Sequence, residues 1–267
     1  MNADKTLAEE SALIGGFEEA CFPAPLRAKN VLVIACLRGY FLLVFWFGSI
    51  ALLGPIVITL ARITGNQNWI YRPVGYFIRV GLAIVRVRVV VNGLERIDPD
   101  TTCLFTPNHQ SLIDVPVLWT YLGRNVAYLA KKELLRNPVL RYGFPVIGVV
   151  PIDRSNTGAA VSGARLAAEN LRRGKSYVVF PEGTRSPDGR LLPFKKGAFI
   201  MAMDAGVPVV PVTVSGGTVV MPKGGVRVYP STITITVHEP IPAGVYSRET
   251  LTELISLARA RIQSALA

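Results

Sequence analysis

From Gly39 to Ala61 the chain runs for 23 residues without a charged side chain. A run this apolar must satisfy its backbone internally, and a helix does so within the segment itself. It is long enough to cross a bilayer. Arg38 and Arg62 bracket it, and Tyr40, Phe41, Phe45, Trp46 and Phe47 crowd its first half. A membrane segment is the expectation; the buried helix of a globular core is the alternative. Gly54-Pro55 interrupts the run, and proline removes a helical hydrogen bond, so a kinked, re-entrant or interfacial helical hairpin is also open. Arg27 and Lys29 precede the run and Arg62 and Arg72 follow it. That balance fits both ends facing the cytoplasm at least as well as a single crossing. Asn66 to Val85 carries Trp69, Tyr71, Tyr76, Phe77, Leu82 and Ile84, with Arg72 and Arg79 among them and Arg86 just beyond. This predicts a second, amphipathic helix, either at the membrane interface or on the surface of a sheet.

Composition supports a surface of this kind. Hydrophobic content is 50%, and the net charge is +11, with mean hydropathy +0.38 and pI near 9.9. A basic, apolar chain suits anionic membranes or anionic substrates. Nucleic acid is disfavoured as a partner, because the basic residues are scattered and form no basic arm or known motif. Cys21, Cys36 and Cys103 are odd in number and far apart, which fits reduced thiols rather than a disulfide framework or a zinc site. With two distant histidines, no metal centre is expected. Residues 1–30 read as a loosely ordered lead without the basic start and early apolar core of a secretory signal.

After Arg86 the pattern changes. Strands are predicted at Arg86–Asn92, Cys103–Thr106, Val126–Ala130, Ser176–Phe180, Val209–Val214 and Thr232–Val237. Between and after them lie helices at Leu112–Leu122, Gly158–Arg173, Gly197–Ala205 and Arg248–Leu266, two of them closed by Gly174 and Gly206. Thr232–Val237 alternates cleanly and reads as an outer strand. Val207 to Thr213 holds two prolines in an apolar strand, which suits an edge or a bulge. Alternating strands and helices give an α/β fold with a largely parallel sheet flanked by helices. The domain reading is a lead at 1–30, membrane-associated helices at 31–85 and an α/β domain at 86–267.

The chemistry concentrates at Asn108-His109-Gln110-Ser111-Leu112-Ile113-Asp114. Pro107 and Asn108 break the preceding strand. Ser111 is placed to cap the next helix, with Asp114 as the acidic member of a capping box. In one continuous helix a five-residue step turns about 500°, leaving His109 and Asp114 roughly 140° apart. With His109 in the turn before the helix, the two can meet. The carboxylate would then hold one ring nitrogen and leave the other to take a proton from a hydroxyl. The plain alternative is a loop histidine and a capping aspartate. A second motif, Phe180-Pro181-Glu182-Gly183-Thr184-Arg185-Ser186, follows a buried strand. Gly183 lets backbone amides approach an anion, Thr184 offers a hydroxyl, and Arg185 a planar fork suited to phosphate. Glu182 is placed to bond a hydroxyl of a ligand, a glycerol hydroxyl under the resemblance described below, or to orient Arg185. Arg154, Lys131, Lys132 and Lys195 are further cations for a phosphate, each with a solvated surface role as its alternative. His238 lies far from these motifs in sequence.

These two motifs, in this order, resemble those of the glycerophospholipid acyltransferase family, which includes the 1-acyl-glycerol-3-phosphate acyltransferases. Gly148 to Arg154 resembles the family's second motif, although Pro151-Ile152 stands where an aromatic before Ile is usual, and Val207 to Thr213 resembles the fourth. The match covers residues 103 to 215. It implies a membrane-bound enzyme that moves an acyl group from acyl-CoA or acyl carrier protein to the sn-2 hydroxyl of lysophosphatidic acid. His109, held by Asp114, would be the base. Arg154, Arg185 and one of Lys131 and Lys132 would hold the acceptor phosphate. Asn108 and backbone amides at the helix start would be candidates for the oxyanion. No cofactor or metal is implied beyond the acyl donor, and the partners would be the lipid bilayer and these substrates. The expected location is the inner membrane, with the catalytic domain on the cytoplasmic side. A different lysolipid acceptor, such as a lyso-ornithine lipid, is the nearest alternative; a catalytically silent lipid-binding membrane protein is a more remote one.

Overall fold

The structure, a computed structural model, describes residues 24–153 and 157–266. Most of the predicted lead and Arg154 lie outside them. Helix α1 spans Ala24–Thr64 as one element of 41 residues, so it begins inside the segment expected to be loosely ordered. At 1.5 Å per residue this is about 60 Å, twice a hydrocarbon core. Gly54-Pro55 does not split the helix into a hairpin. A Cβ on Gly54 would lie 2.6 Å from Val139 Cγ1, so the glycine lets α4 (Pro138–Val146) seat against α1. The hairpin forms later. Gly65 turns the chain at φ 66°, and α2 runs back over Asn68–Ile84. Gly81 of α2 admits the Trp46 indole, which donates to the Phe77 carbonyl at 3.2 Å.

The sheet has seven strands: β1 (Arg88–Asn92), β2 (Leu104–Pro107), β3 (Val126–Lys131), β4 (Val150–Ile152), β5 (Ser176–Val178), β6 (Val209–Ser215) and β7 (Thr232–Val237). Their order is β1-β7-β6-β2-β5-β3-β4. Only β6 and β7 pair antiparallel. Helix α3 (Asp114–Tyr121) follows β2, and α5 (Thr157–Arg172) follows β4. Next come α6 (Lys196–Ala205), the short α7 (Gly217–Val220) and α8 (Leu251–Ser264). This is the expected α/β architecture. Alternate residues of each strand face opposite layers. Phe105 and Val210 pack with Leu42, Leu82 and Leu118 from α1, α2 and α3. Leu104 and Val209 pack with Leu171, Phe199 and Leu254 from α5, α6 and α8. The helical hairpin thus shares one core with the sheet.

Two details differ from the sequence reading, and a third decides between the edge and the bulge it left open. Thr232–Val237 is not an outer strand, because β1 pairs outside it. Pro211 is not on an edge either, since β6 lies between β2 and β7. Val212 pairs with Val237 and Val209 with Ile241, so three steps on β6 meet four on its neighbour, the mismatch of a bulge. Pro211 lacks a donor there, and Arg261 donates to the nearby Glu239 carbonyl instead. Finally, α3 begins at Asp114 rather than Leu112, because residues 112–113 form the turn that lets His109 fold back.

Candidate active site

The loops after β2 and β5 leave neighbouring parallel strands at the same edge of the sheet, the position where open α/β sheets bind ligands. His109 lies in the first loop, and its Nδ1 is 2.9 Å from Asp114 Oδ2. A carboxylate accepts, so Nδ1 carries the proton and Nε2 is left as the basic nitrogen. The same Oδ2 accepts from the backbone amides of Gln110 and Ser111, each at 2.8 Å. Asp114 is fully buried, whereas the His109 side chain keeps 14% of its surface exposed. Ser111 Oγ donates to the Met221 carbonyl at 2.7 Å and accepts from the Ile113 amide at 3.4 Å, while the Asp114 amide meets the Ser111 carbonyl, so the capping box closes only through the Asp114 carboxylate. Phe180 stacks on the imidazole at 3.9 Å between centroids, with 23° between planes, and fixes its tilt.

The loop after β5 is bonded to this turn along its length. Glu182, buried, accepts from the His109 amide at 2.8 Å with one oxygen and from the Leu192 amide at 2.9 Å with the other. Burial pushes its carboxyl upward, opposed by those two bonds and by His109. The Ser186 amide donates to the His109 carbonyl at 2.8 Å, and Gln110 Nε2 to the Gly189 carbonyl at 3.1 Å. Gly183 sits at φ 71°, and a Cβ there would be 2.9 Å from Lys195 Nζ. The positive φ favours glycine, and the close contact places the Lys195 ammonium over the loop. Thr184 is exposed and Arg185 half-buried. Among the described residues, no carboxylate pairs with Arg185 or Lys195.

Asn108 has a bracing role in this geometry. Its amide donates to the Val214 carbonyl at 2.9 Å and accepts from the Val214 amide at 2.7 Å. Its side chain is buried and occupied. The backbone amides of His109, Gln110 and Ser111 are likewise taken by Glu182 and Asp114. Lys131 ends β3, two strands from β2, and Lys132 opens the turn after it; among the described residues neither shares a hydrogen bond with the dyad. Lys132 forms an ion pair with Asp153. His238 is buried at another point of the fold. Thr213 Oγ donates to the Ile262 carbonyl and therefore accepts from His238 Nε2 at 2.9 Å. Burial, Arg96 and Arg261 hold that imidazole below its usual range.

The sequence reading assigned no role to three contributors. Phe180 was visible only as a motif residue. Arg259 of α8 donates to the carbonyls of Leu191 and Leu192, at 3.0 and 2.6 Å, and lies over Phe194, buttressing the loop that Glu182 holds. Lys223 donates to the Arg185 carbonyl at 2.7 Å, adding a cation beside Arg185. Both are long-range contacts between side chain and backbone, which leave no local pattern in sequence.

Comparison with known proteins places the loops of this site inside a matched family region. Residues 88–215 match the family described as Acyltransferase. Over 153 residues the chain is 39% identical to "1-acyl-sn-glycerol-3-phosphate acyltransferase BAT2, chloroplastic" of Brassica napus, covering 57% of this chain and 44% of that protein. It is 33% identical over 174 residues to the human 1-acyl-sn-glycerol-3-phosphate acyltransferase beta, covering 63% and 61%. The chain thus spans about half the length of the curated relatives it matches. The crystal structure of the 1-acyl-sn-glycerophosphate (LPA) acyltransferase PlsC from Thermotoga maritima superposes with a TM-score of 0.73 at 29% identity, covering 88% of this chain and 95% of that one. Residues 88–215 are thus similar to the Acyltransferase family, and the chain shares the fold of the Thermotoga maritima acyltransferase.

Proposed function

We propose that this chain transfers a fatty acyl group from an acyl thioester, acyl-CoA or acyl carrier protein, to the sn-2 hydroxyl of lysophosphatidic acid, giving phosphatidic acid. The observation that carries this reading is the carboxylate-held imidazole on a turn bonded to a loop whose basic side chains meet no carboxylate among the described residues. The names of the relatives support the same acceptor.

His109 Nε2 takes the proton of the acceptor hydroxyl as its oxygen attacks the thioester carbonyl. The new C–O bond forms, the carbonyl becomes an oxyanion, and Asp114 stabilises the imidazolium. Collapse breaks the C–S bond and expels the thiolate, which the imidazolium protonates. Arg185, Lys195 and Lys223 hold the acceptor phosphate and so orient its hydroxyl. The donor thioester is the only activated species this chemistry uses, with no cofactor or metal. Helix α1 brings the site to the lipid surface. Its segment Asn30–Thr64 holds an 18-residue stretch of mean hydropathy 2.4, of which 17% is buried, and is long and apolar enough to cross a membrane.

The test is a panel. Membranes carrying the chain receive labelled acyl-CoA or acyl carrier protein with lysophosphatidic acid, other lysophospholipids or a lyso-ornithine lipid. The expected product is phosphatidic acid whose label is released by an sn-2-specific phospholipase. Label entering only another lysolipid would overturn the assigned acceptor.

A further inference from the structure

We infer that Gly217 is a positioning residue for the Asp114 carboxylate, an inference that rests on the acyl-transfer reading of the His109–Asp114 pair. Gly217 opens α7 directly after Gly216. Gly216 takes φ 83°, but Gly217 lies outside the positive-φ region, so its backbone would accept other residues. The constraint is space. A Cβ on Gly217 would lie 2.8 Å from Asp114 Oδ1 and 3.3 Å from Ser111 Cβ, and both of those residues are fully buried.

Neither side has room to yield. A carboxylate is rigid and planar, so moving Oδ1 also moves Oδ2. Oδ2 is held by His109 Nδ1, Gln110 N and Ser111 N. On the other side, the Met221 amide donates to the Gly217 carbonyl at 2.9 Å, and the Met221 carbonyl accepts from Ser111 Oγ. Gly216 lies against β7, where a Cβ would be 2.2 Å from the Thr232 carbonyl oxygen. Oδ1 has no hydrogen-bond partner among the described residues. The bare Cα of Gly217 therefore lines the Oδ1 side and leaves Oδ2 as the oxygen that addresses the imidazole. A methyl group there displaces the carboxylate from His109.

The experiment is Gly217→Ala in the full chain. The expected result is a kcat lower by about ten- to hundredfold, the scale of an ångström-sized misplacement, with the KM for lysophosphatidic acid changed by less than about twofold because phosphate contacts are untouched. An independent readout is the low-field proton signal of His109 Nδ1–H. It moves upfield in Gly217→Ala, while the signal of His238, the other histidine of the chain, stays in place as an internal control. Asp114→Ala removes the oxygen that the methyl meets, so adding Gly217→Ala to it costs no further activity. Unchanged kcat with an unmoved His109 signal overturns the inference, as does an equal loss in both backgrounds. If Gly217→Ala does not fold, the double variant with Asp114→Ala folds; failure of that variant too would place the clash elsewhere and overturn the inference. If the wild type acylates no lysolipid, the catalytic reading fails, and the histidine signals still decide whether Gly217 positions Asp114.

Discussion

A buried carboxylate can brace a loop or do chemistry, and its partners decide which. Asp114 Oδ2 meets an imidazole as well as two amides, whereas both Glu182 oxygens meet only backbone amides. Glu182→Gln keeps the shape but replaces one acceptor with a donor, stranding the amide of His109 or Leu192. The expected cost is about 1–3 kcal/mol, the penalty of one unpaired buried donor, read as a lower denaturant midpoint; an unchanged midpoint contradicts the bracing role. Arg185 faces the opposite demand, being half-buried with no carboxylate partner among the described residues. Arg185→Ala is expected to raise the KM for the acceptor, with a smaller fall in kcat. A variant that loses kcat alone would remove Arg185 from phosphate binding. His109 and Asp114 were legible in sequence because a helix start between them brings a five-residue step into contact. The bracing of Asn108 by Val214 was not, since a side chain that mimics a strand partner needs a neighbour 106 residues away.

At the scale of elements, the order of strands and helices was readable from periodicity, and their neighbours were not. Gly54-Pro55 looked like a break because proline costs a helical bond wherever it stands. The glycine instead makes room for Val139, a contact between elements far apart in sequence. The tip of the α1–α2 hairpin is fixed in the same long-range way. Lys175, just before β5, donates to Gln67 Oε1 at 2.6 Å and Tyr71 Oη at 2.9 Å. Burial lowers its ammonium from 10.5 to about 8. Between those values the unfolded chain keeps a proton that the folded chain has released, so stability rises with pH across this window. Lys175→Met lacks that linkage. The difference in melting temperature, wild type minus Lys175→Met, should therefore grow in favour of the wild type from about pH 8 to about pH 10.4, the ordinary lysine value. A difference that stays flat or shrinks contradicts the burial of this ammonium at the hairpin tip.

Across the whole molecule, the apolar helix and the reactive loops are joined through one stretch of chain. The Val228 amide donates to the Ala35 carbonyl of α1 at 2.9 Å, and the Val226 carbonyl lies on Gly39, where a Cβ would be 1.2 Å away. The same stretch reaches Ser111 through Met221 and Arg185 through Lys223. Val33, Leu37, Tyr40, Val44 and Phe47 stand exposed along α1, and the chain carries a net +11. Flotation with vesicles of mixed zwitterionic and anionic lipid should carry the chain upward, and Leu37→Ser/Val44→Ser/Phe47→Ser should leave more of it at the bottom, because each removes buried apolar area. Equal flotation of both would mean that α1 does not carry the attachment. The central claim concerns the imidazole this scaffold holds. Its most direct test is transfer of a labelled acyl group to lysophosphatidic acid in membranes carrying either the wild type or His109→Ala. Labelled phosphatidic acid from the wild type, with a rate at least about a hundredfold lower in the variant, is the predicted result for loss of a general base; a variant that keeps most of the wild-type rate contradicts the account.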